Sequence, residues 1–571
     1  MNNQNPIQEQ INQLILQYID PQDIIRKYDK AKTERMPWDT KWQQIQDQVF
    51  PDYRDYVNQS KHKNQPQSGK IKDHAGIISG KINKIVSILS SQLSDPSVKW
   101  LDLRFGDSGM NGMEATRNWL YGCKEELYNL FGDPTSNFYP STFSFHSDWF
   151  TLGTACREII LRKDNNKILF NTVSMQSICA EQSGYGDLST IYRTFSLSPQ
   201  QAYDLWGDAI HPSQLRLVQE GKGNLGTIKK YDYVEVSMPN PIFGQPLPIP
   251  PLKYLTCVID KTNKSVVDIG QHHQSPYVVS RFIVSPGELY GRSYVWYAMP
   301  DMIAINRTSK RILQGIDYAI FPVNLVKDET SITQSQITPG AFVQGLDYNG
   351  NPTIRQLPPL ANTQMAMEFL NYKSNELDDT LVARDIFPSD APNMTATEVN
   401  ERKIQANNRI RPLLVRLEAE DLNNTVRRSL SLLEQQGKLP QFPYDKLRIQ
   451  PEQLPNPLEM LNVQFSGQMA RMQKLQEIVN SDALFQKVLQ AAQVDQSVLD
   501  WINLESFIRE DAKIYGISPS LLNDEQTVQQ IRESRAQSEQ AQAAAQQEAM
   551  SIDNLVKLKE AGIAPEQLAT I

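Results

Sequence analysis

Apolar residues recur at helical spacing along most of the chain, and one long block departs from that pattern. Stripes at three- and four-residue intervals predict helices over 21–57, 74–93, 113–131, 301–320 and 361–387. Between 156 and 284 the apolar positions alternate or form short runs bounded by turn residues, which is typical of strands. The pattern therefore predicts an α+β protein that is predominantly helical.

The block between 156 and 284 divides into short strands and one short helix. Strands are expected at 156–161, 168–173, 189–195, 231–238, 254–260, 266–269 and 277–283. Ser198 precedes Pro199, so we expect a helix over 198–206 with a serine cap and proline at its first position. This block is expected to supply most of the sheet structure.

The longest helical stretch begins within the residues Met-Thr-Ala-Thr-Glu-Val-Asn-Glu-Arg at 394–402. Thr395 lies three residues before Glu398, which is the spacing of a capping box. Gly437 is the next glycine along the chain and suits the C′ position of a helix. A helix between these two signals would be about 60 Å long at ~1.5 Å per residue.

The two halves of this long helix differ in character. Residues 395–411 are mostly polar, residues 410–433 carry an apolar stripe, and the stripe moves to a new face after Glu420. Pro412 removes one backbone donor and should bend the helix near Asn408. A polar half-helix has little reason to be stable alone. It faces neighbouring copies or a wet cavity, or it is a solvated surface helix.

The segment 321–360 interrupts the helical pattern in the middle of the chain. Proline and glycine are frequent there, and short strands are expected at 323–326 and 341–343. Asn349-Gly350 is a strong signal for a tight hairpin turn. We therefore expect a small strand-bearing insert between two helices.

Charge and hydropathy limit the classes of partner. The chain has 57 Lys and Arg against 65 Asp and Glu, a formal net charge of −8. Proteins that grip nucleic acid through its phosphates usually have a basic balance, so tight DNA binding is not expected. An acidic wall would still let DNA pass without sticking. The N-terminus does not resemble a signal peptide, and no stretch approaches the ~18 apolar residues that span a bilayer, so no membrane partner is expected.

Signals for metals, disulfides and cofactors are weak. The four cysteines lie far apart and form no CxxC pair: Cys123, Cys156, Cys179 and Cys257. We expect buried free thiols in a protein made in a reducing cytoplasm. His272 and His273 are adjacent next to a strand and would point to opposite faces, which argues against one shared metal. No cofactor, metal site or catalytic residue is expected.

Four segments in consistent order resemble the portal proteins, or head-to-tail connectors, of short-tailed (podovirus-type) phages. They are 34–51, 95–103, 287–306 and 394–417. The last contains the sequence at 394–402 followed by Arg411-Pro412-Leu413 and Leu417, and it resembles the long portal helix that follows a loop projecting into a DNA channel. The resemblance covers 21–535 and implies a ring-forming structural protein, not an enzyme.

The resemblance implies a portal fold with wing, stem, clip and crown regions and a long kinked helix after a tunnel loop. The implied regions are an N-terminal arm (1–20), a wing (21–292, with its β-rich part at 156–284), a first stem helix (293–320), a clip (321–360), a second stem helix (361–387), the tunnel loop (388–395), the long kinked helix with the return to the wing (396–460), a helical crown (461–535) and a Gln/Ala-rich tail (536–571).

The resemblance also implies a location and partners. Twelve copies would form a homo-oligomeric ring at one capsid vertex of the virion, at the head–tail junction, after synthesis in the host cytoplasm. A terminase large subunit would drive double-stranded DNA through the ring during packaging. Major capsid and scaffold proteins would surround the ring, and tail adaptor proteins would dock on the clip.

Two sets of residues are candidates for the wall of the DNA channel. By resemblance, the tunnel loop and the following turns supply Ser389, Asp390, Asn393, Met394, Arg402 and Lys403. On the 301–320 helix, Arg307 and Arg311 lie opposite an apolar stripe. In a monomer these two arginines would be solvated, whereas in a ring they would face the channel or pair with carboxylates of a neighbour.

Two other classes of protein remain open. Asp378, Asp379 and Asp385 would suit a metal-dependent nuclease, although no histidine or third ligand cluster accompanies them. A helical internal scaffold protein is the other alternative, and it would lack the strands between 156 and 284. The portal interpretation is favoured because its motifs follow one another in the right order.

Overall fold

The chain folds into two compact units, Met1–Met472 and Gln473–Ile571. The computed structural model describes residues 14–50, 76–97, 99–162, 164–223, 230–245, 250–320, 324–326, 354–356, 363–381, 411–447, 450, 456–465, 484–488, 490, 507–508, 523 and 525–560. Among these residues helix is more abundant than strand, so the predicted α+β class with mostly helical content is confirmed.

The described helices of the first unit are α1 (14–18), α2 (Pro21–Val49), α3 (Gly76–Leu93), α4 (Ser108–Gly112), α5 (Glu114–Gly132), α6 (Phe138–Leu152), α7 (Pro199–Trp206), α8 (Pro212–Gln219), α9 (Tyr294–Tyr297), α10 (Met299–Ile320), α11 (Thr363–Thr380), α12 (411–435) and α13 (Tyr444–Leu447). In the second unit, α14 spans Glu525–Glu560. This helix runs without a break through most of the Gln/Ala-rich tail.

The described strands are β1 (Leu101–Phe105), β2 (Thr154–Leu161), β3 (Ile168–Val173), β4 (Ile178–Gln182), β5 (Leu188–Leu197), β6 (Tyr231–Pro239), β7 (Tyr254–Asp260), β8 (Ser265–His272), β9 (Tyr277–Arg281), β10 (Asn324–Val326), β11 (Ile354–Gln356) and β12 (Leu461–Phe465). The seven strands predicted between 156 and 284 are confirmed with small shifts at their ends. Strands β1, β4, β11 and β12 were not predicted. The expected strand at 341–343 and the Asn349-Gly350 turn lie outside the described residues.

The larger sheet is antiparallel, in the order β4-β5-β6-β7-β8. One face packs against α1 and the first half of α2, where the rings of Tyr28 and Tyr192 have centroids 6.1 Å apart. Ile15 and Ile19 are buried in this core, so the end of the N-terminal segment is packed. Helices α7 and α8 pack around Tyr233, whose side chain points to the other face.

A second, three-stranded sheet has the order β3-β2-β9, and all its pairings are antiparallel. Helix α6 packs on it and ends at Gly153, whose φ is +84°. A Cβ added at Gly153 would lie 2.5 Å from the carbonyl oxygen of Gly291, so only glycine permits this approach. The end of α6 therefore meets the portal-like stretch at 287–306, which is distant along the chain.

Strand β1 pairs antiparallel with β12, which joins residues more than 350 positions apart, with Leu101 opposite Phe465. This pair packs with α5 and the second half of α12 in a separate core. Trp100 stacks on Phe131 there, with ring centroids 5.8 Å apart. A long-range pairing of this kind has no local signal in the sequence.

Two helix ends follow their local sequence signals closely. Ser198 forms a capping box with Gln201, in which each side chain binds the other residue's backbone N–H. At the end of α12, Gly437 has φ +66° and donates to the Glu434 carbonyl at 2.8 Å, while Lys438 donates to the Leu433 carbonyl at 3.0 Å. These two bonds make a Schellman motif, so the prediction of Gly437 as a C′ residue is confirmed.

Candidate functional site

Helices α10 and α11 form an antiparallel hairpin that carries two of the predicted site residues. Lys373 of α11 donates to Asp301 at the start of α10 at 2.9 Å. Beyond the other end of the two helices, β10 pairs antiparallel with β11. The strand-bearing insert predicted between two helices is thus present in its described part.

The hairpin is anchored to the rest of the first unit at its base. Lys81 of α3 makes an ion pair with Asp378 of α11 at 2.7 Å and also donates to the Ser374 carbonyl. Asn306 donates to the side chain of Gln48 on α2 at 2.7 Å. Asp378, a residue of the nuclease alternative, therefore has a structural partner. Within the described ranges, no three His, Cys, Asp or Glu side chains are grouped to hold a metal ion, and Asp385 lies outside those ranges.

The apolar stripe of α10 continues beyond the buried core. Met302 and Ile305, near its N-terminus, are completely buried. Further along the same stripe, Leu313 and Ile320 are each 63% exposed, and Ile316 is also exposed. A stripe of branched apolar side chains in water is typical of a surface that another protein covers.

Helix α11 also exposes apolar side chains. Phe369 and Tyr372 lie on one face together with Met365, at four- and three-residue intervals, and all three are exposed. Its other side packs into the core through Leu377, which is fully buried. Both helices of the hairpin thus leave aliphatic or aromatic surface uncovered in the single chain.

Arg307 and Arg311 are exposed on the side of α10 opposite its apolar stripe, as the spacing predicts. Neither forms an ion pair with any residue that the structure describes. The other candidates for the channel wall, Ser389, Asp390, Asn393, Met394, Arg402 and Lys403, lie outside the described residues, and so do Thr395 and the expected bend near Asn408.

The long helix contains a π-helical turn where its apolar stripe changes face. Residues 411–417 are α-helical, Glu418–Leu422 form the π turn, and Asn423–Gln435 are α-helical again. A π turn inserts one extra residue, which rotates all later side chains relative to the earlier ones. The change of face predicted after Glu420 therefore has a definite structural cause.

Carboxylates of the π turn bind the three-stranded sheet. Glu420 accepts hydrogen bonds from the backbone N–H of Arg281 at 2.7 Å and from its Nη2 at 2.8 Å. Asp421 pairs with Nη2 of Arg157 at 3.5 Å, and both of these side chains are fully buried. Burial raises the pKa of Asp421, against the opposing effects of Arg157 and of the hydroxyl of Thr425.

Arg428 fastens the next turns of α12 to both sheets. Its guanidinium donates to the carbonyl of Ile159 on β2 and to the carbonyl of Gln274 before β9. Nη2 lies 3.4 Å from Nδ1 of His272, whose pKa is lowered to about 3 by burial and by the nearby Arg428 charge. Nε2 of His272 contacts the hydroxyl of Thr256. The histidine is thus a neutral hydrogen-bonding partner.

Sequence reasoning missed this buried network of Arg157, Arg281, Glu420, Asp421 and Arg428. A signal was available at one position only: Arg157 interrupts an apolar run, and arginine is almost never fully buried unless it is paired. The four cysteines are buried free thiols, as expected.

No helix in the described ranges is both long enough and apolar enough to span a bilayer. The family described as bacteriophage head to tail connecting protein matches residues 21–522. The chain is 23% identical over 541 residues to the portal protein of Salmonella phage epsilon15, covering 91% of this chain and 92% of the relative. It is 20% identical over 552 residues to a probable portal protein of Bordetella phage BPP-1, covering 91% of each. The predicted resemblance to portal proteins is confirmed.

Proposed function

We propose that this chain, which belongs to the family of bacteriophage head to tail connecting proteins, closes into a ring whose central channel conducts the double-stranded genome. The protein is a structural part of the virion in this proposal. In this proposal the ring occupies one capsid vertex, and DNA passes through it during packaging and again during ejection.

The observation that carries the ring is the uncovered apolar surface on α10 and α11. Leu313, Ile316, Phe369 and Tyr372 are all exposed in the single chain, and all belong to one hairpin. When different patches of identical subunits meet head to tail, the contacts repeat and close a ring if the rotation permits. A ring would cover these side chains, and exposed apolar surface on neighbouring helices is typical of a protein–protein contact.

The regions of the ring follow the order of elements in the chain. We assign the wing to 21–292, the stem to α10 and α11, the clip to the insert at 321–360, the long helix to 396–460 and the crown to 461–535. The stem helices carry the exposed apolar surface, which is where identical subunits would meet. The clip would then be the docking site for tail adaptor proteins.

The channel wall would combine acidic surface with a few cations. Arg307 and Arg311, exposed and without ion pairs in the described residues, are available to a neighbour's carboxylates or to passing phosphates. The loop at 388–395 and the helix turns after it would contact DNA transiently. Shortening 389–393 is expected to impair DNA packaging or retention while ring assembly stays intact, and unchanged packaging would refute this role.

The partners in this proposal are a terminase large subunit, the major capsid and scaffold proteins, and tail adaptor proteins. Twelve copies of 65.1 kDa would give a ring of about 780 kDa. The net charge of −8 fits a channel through which DNA moves without tight binding.

The ring is tested by light scattering and negative-stain images of the purified full chain. We expect the wild type at the mass of a closed ring and Ile316→Asp at 65.1 kDa, because a carboxylate in an apolar contact is costly to bury. Leu205→Asp is the matched control, since Leu205 on α7 is also an exposed aliphatic residue, at 53% against 40% for Ile316, and lies outside the hairpin. Ile316→Asp rings identical to those of the wild type would refute the proposed contact.

Two other functions were open for this chain, a helical internal scaffold and a metal-dependent nuclease. An all-helical internal scaffold is wrong, because the first unit contains a five-stranded and a three-stranded sheet. The nuclease alternative is not supported by the comparisons, and Asp378 is already paired with Lys81. A cleavage assay with Mg²⁺ and Mn²⁺ tests it directly, since Asp378→Ala would abolish any genuine activity.

A further inference from the structure

A cavity of about 500 Å³ lies where the two sheets and the π turn of α12 come together. Its walls include the start of β5, strand β9 and the π turn. Leu188, Ile191 and Val279 give it apolar surface, while Asp187 and Glu420 contribute carboxylates. None of the portal functions proposed above uses this cavity.

Strand β9 presents a free hydrogen-bonding edge to this cavity. It is the last strand of its sheet, and its only pairing in the described part of the chain is with β2. Next to its end, Phe282 donates to the carbonyl of Gly153, which precedes β2, whereas Arg281 donates away from β2 to Glu420. Because backbone groups alternate in direction along a strand, the N–H and C=O of Val279 point away from β2 as well. Neither group has a partner in the described residues.

Glu420 already takes the place that a neighbouring strand would occupy at one end of this edge. Its Oε2 accepts the Arg281 N–H at 2.7 Å, as the carbonyl of an added strand would. The edge continues from there through Val279 to Tyr277, whose N–H is used by the Ser275 hydroxyl. The N–H and C=O of Val279 therefore remain for pairing with the backbone of a short extended peptide.

The charges around the cavity favour a basic segment over an acidic one. Asp187 is exposed and has no ion pair in the described residues, whereas Glu420 is paired with Arg281 and lies near Arg416. An acidic segment would be repelled by Asp187, and a lysine or arginine would be attracted.

We propose that this cavity binds a short extended segment of a partner protein, which adds as a strand to the free edge of β9 and places a basic side chain beside Asp187. Strand addition of this kind takes affinity from backbone hydrogen bonds and specificity from alternate side chains. Val279 supplies the central backbone pair, and Leu188 and Ile191 supply apolar contact for the segment.

Disulfide tethering on the full chain tests the proposal. Ser189→Cys introduces a thiol in the cavity wall, and the four native cysteines are buried. Three short synthetic peptides with a terminal cysteine are incubated with the protein in a thiol redox buffer, and the fraction of protein that carries each peptide is measured by intact mass. The first peptide alternates valine and threonine and contains one lysine. The second has glutamate in place of the lysine, and the third is the lysine peptide with an N-methylated backbone. We expect about fivefold more labelling by the lysine peptide than by the glutamate peptide, the value of an exposed ion pair. The N-methylated peptide should label several-fold less.

Two variants connect this preference to named groups. Asp187→Asn should remove the lysine preference, and Val279→Pro should remove the backbone donor while leaving the pairing with β2, since its N–H faces away from that strand. If Val279→Pro does not fold, the N-methylated peptide carries the same test. Ser538→Cys, on an exposed position of α14, is the control for nonspecific exchange.

Equal labelling by all three peptides, or the same preference at Ser538→Cys, would overturn the proposal. Equal labelling by the lysine peptide with and without N-methylation would also overturn the proposal, because strand addition requires the backbone N–H. Labelling of Ser189→Cys only after the ring is broken by Ile316→Asp would overturn it too, since a second copy of this chain would then occupy the cavity.

Discussion

Two long helices of the first unit reverse the usual distribution of polar and apolar residues. The C-terminal half of α10 exposes Leu313 and Ile320, whereas α12 buries Asp421 and Arg428. The difference indicates that the two helices pack against different kinds of surface. Helix α12 packs on the two sheets of the same chain, whereas the C-terminal half of α10 has no covering surface among the residues that the structure describes.

The helix hairpin and the π turn of α12 also differ in how deeply their ion pairs are buried. At the base of the helix hairpin, Lys81 and Asp378 remain partly exposed at 2.7 Å. Around the π turn, Arg157 and Asp421 are fully buried at 3.5 Å. Removing one partner of a buried pair leaves a charge without compensation, whereas an exposed charge is solvated by water. The shorter contact is therefore expected to contribute less to stability.

The largest effect is expected from Asp421→Ala, which would leave the Arg157 guanidinium buried without a carboxylate. We expect a loss of about 3–5 kcal/mol in the free energy of unfolding, measured by chemical denaturation. The double variant Arg157→Met with Asp421→Leu is the control, and it should cost less than the single variant because no buried charge remains. A single variant as stable as the wild type would show that the ion pair does not hold the π turn.

A second effect is expected at His146, which is buried on α6 with Nδ1 3.1 Å from the Ser90 hydroxyl. Burial lowers its pKa to about 3, so the folded protein holds it neutral while the unfolded chain takes up a proton below about 6.5. Its contribution to stability is complete above the unfolded pKa and falls with acidification, by up to about 1.4 kcal/mol per pH unit.

The measurement compares wild type with His146→Asn by denaturation at several pH values. The stability difference between the two proteins should narrow as the pH falls from 7 towards 4. His211→Asn, at the half-exposed N-cap of α8, is the control, since asparagine also suits that position. A difference that is constant over this range would contradict the assignment of a buried neutral histidine.

A smaller effect on the free energy of unfolding is expected at the partly exposed pair of Lys81 and Asp378. Asp378→Ala should cost less than about 1 kcal/mol, because water can solvate Lys81 once the carboxylate is gone. The same denaturation experiment measures it, and the loss should shrink further in 1 M salt. A cost as large as that of Asp421→Ala would remove the distinction between the two regions.

The smallest effect on stability is expected from Arg307→Ala with Arg311→Ala, within about 0.5 kcal/mol, since both side chains are exposed. Their effect should appear instead in DNA retention by filled particles, at unchanged ring mass. Loss of the ring in light scattering would mean that the arginines pair with a neighbouring subunit.

Local signals in the sequence predicted much of the fold. Seven of the eight strands from β2 to β9, the capping box at Ser198 and the C′ glycine at Gly437 all depend on residues within a few positions of one another. The rotation of the apolar stripe after Glu420 was visible in the sequence, although its cause, a π turn, was not. Of the candidate site, the exposure of Arg307 and Arg311 followed from helical spacing alone.

The sequence by itself determined the type of most elements and, through its motifs, the portal family. Only the tertiary structure decided which parts of those elements are covered. The same stripe on α10 is buried at Met302 and exposed at Leu313, and Arg157 meets Asp421 across 264 positions. Periodicity and capping are short-range properties of the backbone, whereas burial depends on contacts between distant segments, so a pattern cannot reveal where the core ends and a partner's surface begins.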